Sequence, residues 1–310
     1  MALHPEIAKF VASLPPPAPG PIDPVALRAA DEAHVTPLAE RLPLHAVEDV
    51  TVRTAAGDDV PVRIYTPVAV GPYGVLVYFH GGAFFLGSLE THDHLARSLA
   101  RETGLKVVSV GYRLAPEAAF PAGLEDCYAV LRWVAEQGEG LAWDGATLAV
   151  AGDSSGGTFA AAVAATAHDD GFDRITHQIL YYPSLDLDFD AERYASLREN
   201  AVGYGLETAG LKPFNAFYLD SGADPADPLA SPIKRTDLSG LPKALVVTAE
   251  HDPLRDEGEL YGARLRDAGV AVTVSRYEGA GHGFVQHFSW IPEFHAVFAE
   301  TRAFLTEPRA

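Results

Sequence analysis

Apolar residues fall along this chain in two rhythms that take turns. Short continuous runs read as strands buried on both faces of a sheet: GVLVYFH (74–80), KVVSVGY (106–112), TLAVAGDS (147–154), QILYYPSL (178–185), ALVVTAEHD (244–252) and VAVTVSRYEG (270–279). Between them lie segments with apolar residues at helical spacing. These are LARSLARETG (95–104), closed by Gly104 as a C-cap, GLEDCYAVLRWVAEQ (123–137), the Ala-rich GGTFAAAVAATAHDD (156–170), GELYGARLRDAG (258–269) and FHAVFAETRAFLTE (294–307). Strands alternating with helices predict an α/β fold, a mostly parallel sheet with helices on both faces. Ahead of them, 45–67 alternates apolar and polar residues around AAGDD and predicts a β-hairpin.

Two stretches break the alternation. Residues 1–44 are Pro- and Ala-rich, with a short amphipathic helix expected before the stop at Pro15 to Pro17. Residues 186–240 are richer in Asp, Tyr and Pro and carry no long Val/Ile run, so they read as an insertion packed over one edge of the sheet. No internal repeat interrupts this plan.

Composition narrows the function classes. With 310 residues, 48% of them hydrophobic, the chain can bury a sizeable core. Asp and Glu number 42 against 23 Lys and Arg, a formal charge of −19, which repels phosphate backbones and excludes nucleic acid as the expected partner. Cys127 is the single cysteine, so no intrachain disulfide or cysteine-based zinc site is available and no metal site is predicted. No run approaches ~18 consecutive apolar residues, and the N-terminus lacks a basic stretch before an apolar one. The expectation is a cytoplasmic protein that does not enter a membrane.

The candidate chemistry gathers at strand ends. Gly152-Asp153-Ser154-Ser155-Gly156-Gly157 follows one strand and opens a helix, matching G-x-S-x-G in the context that motif needs. Centring the motif on Ser155 would put Asp153 where glycine is required, so Ser154 is the candidate nucleophile. The Ser155 amide then lies at a helix N-terminus, where negative charge is favoured. His80-Gly81-Gly82-Ala83-Phe84 ends another strand, and its glycines let backbone N–H groups converge as an oxyanion hole requires. His80 itself reads as a loop-ordering residue.

A serine nucleophile needs a base, and the base needs an orienting acid. Among 12 histidines, His282 stands in the loop Gly281-His282-Gly283 after a late strand, C-terminal to the serine as the order Ser, Asp/Glu, His demands. His287 and His295 lie further along, beyond the turn and in the last helix. ALVVTAEHD ends at Asp252, the leading candidate for the acid, with Glu257 and Glu250 as alternatives and Asp256 assigned to opening the next helix.

With these residues in place, the chain resembles the hormone-sensitive lipase-like, or bacterial family IV, esterases of the α/β-hydrolase fold. The resemblance runs from about residue 4 to 305. It rests on HGGAF (80–84), YRLAPE (112–117), GDSSGG (152–157), Tyr182-Pro183, DPLRDEG (252–258) and HGF (282–284). It implies an eight-stranded sheet forming a catalytic domain from 45–185 and 241–310, with a helical cap from 1–44 and 186–240. It also implies a carboxylesterase acting on short- to medium-chain acyl esters without a cofactor, as a monomer or a homodimer pairing through 270–277. Ser154, Asp252 and His282 would form the triad. The oxyanion amides would come from two of Gly81, Gly82 and Ala83, together with Ser155. Ser155 and Ala83-Phe84 depart from the commoner family residues, and the Ser155 hydroxyl is expected to add a donor beside the hole. Phe84, Phe85, Phe214, Phe217 and Tyr218 are candidate pocket walls. Three other readings use the same fold: a ligand receptor like the plant gibberellin receptors, which lack the histidine, an amidase or oligopeptidase, and a lipase for insoluble triglyceride.

Overall fold

The computed structural model describes residues 1–14, 20–67 and 70–307. The expected stop at Pro15 to Pro17 lies outside the described residues. Among them, eight strands form one sheet: β1 (Ala46–Arg53), β2 (Asp59–Thr66), β3 (Tyr73–Phe79), β4 (Lys106–Val110), β5 (Trp143–Asp153), β6 (His177–Tyr181), β7 (Lys243–His251) and β8 (Val272–Gly281). Their spatial order is β1-β2-β4-β3-β5-β6-β7-β8. β1 and β2 form the hairpin, in register from Ala46 opposite Thr66 to Arg53 opposite Asp59, and β2 runs antiparallel to β4. Every pairing from β4 to β8 is parallel.

The helices are α1 (Pro5–Ser13), α2 (Pro24–Glu32), α3 (Asp93–Thr103), α4 (Ala122–Glu136), α5 (Ser155–Asp169), α6 (Ser196–Glu199), α7 (Thr208–Ala216), α8 (Arg255–Asp267), α9 (Phe284–Phe288) and α10 (Pro292–Thr306). Gly104 ends α3 with φ 75°, a conformation glycine adopts without a Cβ penalty. The pleat of the central strands divides the core. Val75, Val77 and Phe79 of β3 belong to the cluster that holds residues of α4, α5 and α8, whereas Leu76 and Tyr78 belong to the one that holds residues of α3, α9 and α10. Each run is continuously apolar because both of its faces are covered.

Two strands differ from their expected form. Residues 270–279 are not buried on both faces. β8 is an edge strand with nothing beyond it in the sheet, and its residues are half-buried or exposed until Gly279. β6 stops at Tyr181 because Tyr182 adopts φ 35°, which turns the chain out of the sheet. The parallel strands end at one edge, so Asp153 and Ser154, Asp252, and Gly281 and His282 emerge together there. This is where sites form in open α/β sheets.

Candidate active site

The serine is set by backbone geometry. Ser154 joins β5 directly to α5 at φ 54° and ψ −120°, a strained conformation for a residue with a side chain. The flanking glycines allow the turn by close approach. A Cβ on Gly152 would lie 2.0 Å from the Gly156 carbonyl oxygen, and one on Gly156 would lie 2.1 Å from that of Phe79. The serine hydroxyl is thereby held above the strand ends.

A line of hydrogen bonds runs from it. Ser154 Oγ lies 3.0 Å from His282 Nε2, and His282 Nδ1 lies 2.8 Å from Asp252 Oδ2. Asp252 is fully buried, and its Oδ1 accepts the Leu254 N–H at 2.8 Å, which fixes the carboxylate plane. Asn200 donates to the Asp252 backbone carbonyl at 3.0 Å. The Tyr182 ring meets the His282 ring edge-on, with centroids 5.0 Å apart. The alternative acids lie elsewhere. Glu257 is buried and accepts the Leu185 N–H at 2.6 Å, and Glu250 accepts the Gly279 N–H at 2.7 Å. His295 bonds the Ser289 carbonyl, and His287 lies in the cavity wall without reaching Ser154.

The loop after β3 differs from expectation in three respects. Gly81 is not free to donate to a substrate: its N–H is bound to Asp153 Oδ1 at 2.9 Å. The amides of Gly82, Ala83 and Ser155 have no acceptor among the described residues, and these residues line the cavity beside Ser154. The Ser155 hydroxyl is also turned inward. It is buried, and its Oγ accepts the Phe84 N–H at 3.3 Å, tying loop to elbow instead of adding a donor beside the hole. Phe84, at φ 66°, is a core residue and no pocket wall. It stacks on Tyr218 with centroids 3.9 Å apart and meets Phe159 edge-on, so Tyr218 is core as well. Phe85 and Phe214 do line the cavity, and Phe217 packs behind Phe85 at 5.0 Å.

Buried polar groups fix this loop. Asp153 Oδ1 accepts the Tyr78 hydroxyl at 2.5 Å as well as the Gly81 amide. Burial pushes the Asp153 carboxyl up, but its neighbour His92 and the hydrogen bonds to it outweigh this, leaving it below the usual carboxylate value. His80 stacks on Tyr112 at 4.2 Å, and burial followed by its neighbour His92 takes its imidazole down to about 3. His80 is therefore neutral at physiological pH and orders the loop. From α2, Arg28 donates to the Phe85 carbonyl at 2.7 Å and to the Ala115 carbonyl at 2.5 Å. No periodicity or motif marked Arg28.

Together these groups surround a cavity of about 260 Å³. Ser154, His282 and the loop residues Gly82 and Ala83 line it, and Phe85, Leu206, Leu211, Phe214 and Leu254 supply apolar walls. No group of His, Cys, Asp and Glu side chains among the described residues is arranged to hold a metal. No helix among them is long and apolar enough to cross a membrane.

The sheet order and the residues at its edge define the class. The chain belongs to the α/β-hydrolase fold family, whose pattern it matches over residues 76–286, and within it to the hormone-sensitive lipase-like branch. Carboxylesterase NlhH of Mycobacterium tuberculosis is 41% identical over 283 residues, 87% of each chain. An ethyl acetate hydrolase of Pseudomonas putida is 38% identical over 253 residues, 80% of this chain and 78% of that one. A hyperthermophilic esterase from Pyrobaculum calidifontis superposes with a TM-score of 0.89 at 39% identity, covering 98% of both chains.

Proposed function

We propose that this protein is a carboxylesterase that cleaves short- to medium-chain acyl esters through an acyl-enzyme on Ser154. The observation that carries the reading is the line Ser154–His282–Asp252, bonded at 3.0 and 2.8 Å, with Ser154 and His282 lining a largely apolar cavity. His282 Nε2 takes the Ser154 proton as Oγ attacks the ester carbonyl. The oxyanion is held by the N–H groups of Gly82, Ala83 and Ser155. His282 then gives the proton to the leaving alcohol, and the acyl group stays on Oγ. Water, deprotonated by His282, attacks the acyl carbon and releases the acid, returning the proton to Ser154. Asp252 holds the imidazole in the required tautomer and stabilises its charged form.

The chain-length assignment follows from volume. About 260 Å³ lies below the roughly 300–1,000 Å³ of typical ligand cavities, which favours short acyl chains over those of triglycerides. The identities of the relatives, a carboxylesterase and an ethyl acetate hydrolase, support the same class. Residues 1–44 and 186–240 act in this reading as a cap over a catalytic domain of 45–185 and 241–310. Asp31 from the first segment, and Leu206, Leu211 and Phe214 from the second, wall the cavity. A cytoplasmic location belongs to the same proposal, supported by a fold whose single cysteine, Cys127, is a buried free thiol.

The test is hydrolysis of p-nitrophenyl esters from acetate to palmitate, with Ser154→Ala and His282→Ala alongside. Turnover that peaks on short chains and vanishes in both variants supports the reading. Turnover that survives either substitution, or none on any chain length by a folded protein, overturns it.

A further inference from the structure

The cavity over Ser154 has a neighbour. A second space of about 330 Å³ shares Asp31, Gln286 and His287 with it. The two differ in chemistry. Leu206, Leu211 and Phe214 wall the first, whereas His34, Thr36, Thr91, His94 and Ser289 line the second beside the apolar Val35 and Trp290.

Their placement follows from chain order. Gln286 and His287 belong to α9, which starts two residues after His282. In ester cleavage the alcohol oxygen must reach His282 Nε2 to be protonated. The second space is bounded by the helix that follows this proton donor, and Leu206, Leu211 and Phe214 of the 186–240 insertion wall the first together with Phe85 and Leu254. One portion of a substrate thus meets a mainly apolar surface and the other a mixed one with more polar side chains.

The shared wall carries one carboxylate. Asp31, on α2, is half-buried, and neither Lys nor Arg occurs among the described residues lining either space. Burial raises its carboxyl from the usual value, opposed in part by its neighbour His92 and by the Gly87 amide, which faces it. Gln286 is buried, spends its amide nitrogen on the Thr91 carbonyl at 2.9 Å, and has no donor for its own Oε1. His94 Nε2 is engaged by the Gln286 carbonyl at 2.5 Å. A ligand hydroxyl reaching this wall can donate to the Asp31 carboxylate. An anionic group would face Asp31 with no Lys or Arg beside it, and an alkyl group would desolvate the carboxylate without adding a donor to it.

We propose that the second space is the alcohol subsite, that it takes alcohols carrying further hydroxyl groups, as in monoesters of small polyols, and that Asp31 determines this specificity. The proposal rests on the esterase reading above.

The experiment compares glyceryl monobutyrate with n-propyl butyrate at pH 8. The two share the acyl chain and a three-carbon alcohol and differ by two hydroxyls. Wild-type kcat/KM should favour the glyceryl ester by about tenfold, as one hydrogen bond to a charged group allows. Asp31→Leu should bring the ratio near parity, mainly through KM of the glyceryl ester. Asp31→Asn, which keeps an acceptor without the charge, should fall between. A wild-type ratio at or below one, or a ratio unchanged in Asp31→Leu, overturns the subsite. p-Nitrophenyl butyrate separates the two levels. Its turnover alongside either of those ratios removes the subsite alone, and no turnover of any ester removes the esterase reading and the subsite with it.

Discussion

Asp153→Ala would remove one carboxylate that holds two donors beneath the oxyanion loop. The Tyr78 hydroxyl and the Gly81 amide both bind Asp153 Oδ1, at 2.5 and 2.9 Å, and all three groups are buried. Each buried donor left without a partner costs about 1–3 kcal/mol, so the variant should lose roughly 2–6 kcal/mol of stability. The carboxyl sits below its ordinary value of 3.8 in the fold, so its contribution is present above that pH and is lost as pH falls through the folded-state value. The difference between wild type and variant should therefore be full at pH 8 and shrink below about pH 4. Activity should fall as well, because Gly81 anchors the two amides that follow it. Displacing one oxyanion donor costs about 10²–10³ in kcat, with KM little changed. Urea unfolding and p-nitrophenyl butyrate kinetics read both effects. A cycle with Tyr78→Phe should give a double variant less destabilised than the sum of the singles, by about 1 kcal/mol. A folded Asp153→Ala enzyme with wild-type kcat, or strict additivity in the cycle, would refute this account of how the loop is held.

Three further outcomes follow from other contacts. Gly156→Ala should not form the elbow, because the new Cβ would meet the Phe79 carbonyl oxygen at 2.1 Å; circular dichroism and expression yield check this, and a stable, active variant contradicts it. His80 is held neutral with a value of about 3 against 6.5, so its contribution is full above pH 6.5 and is lost at about 1.4 kcal/mol per pH unit as pH falls toward 3. Urea midpoints between pH 7 and 4.5 should fall less steeply in His80→Gln, and equal slopes would count against it. Arg28→Leu strands the carbonyls of Phe85 and Ala115, so it should cost about 1–2 kcal/mol and raise KM more than it lowers kcat; an unchanged KM would show that α2 does not position Phe85.

Much of this was legible in the chain because the informative features are local. A run such as GVLVYFH is apolar throughout since both faces of β3 are covered, and glycines two residues either side of Ser154 carry the elbow in five positions. The acid and base were ordered by the strand ends that carry them, and Asp252 and His282 meet at 2.8 Å. In 270–279 the apolar Val270, Val272 and Val274 read as a buried run, and Thr273, Ser275, Arg276 and Glu278 are the local sign that β8 lies at the sheet edge. The rest of what was missed depends on distant parts of the chain. Phe84 and Phe85 are adjacent in a loop with positive φ at Ala83 and Phe84, so no periodicity tells which ring turns inward. Gly81 looked equivalent to Gly82 until Asp153, 72 positions away, was seen to occupy its amide. Arg28 and Asp31 act on a site far along the chain, and their surroundings on α2 carry no motif.

The central claim is that Ser154 is acylated with His282 as its base. The most direct measurement is rapid-quench mass spectrometry of the enzyme mixed with p-nitrophenyl butyrate, followed by peptide mapping. The account predicts a transient butyryl group on the peptide bearing Ser154, formed with a burst of p-nitrophenol and absent in Ser154→Ala and His282→Ala. A burst with the acyl group on another residue, or steady turnover of the Ser154→Ala protein, would contradict it.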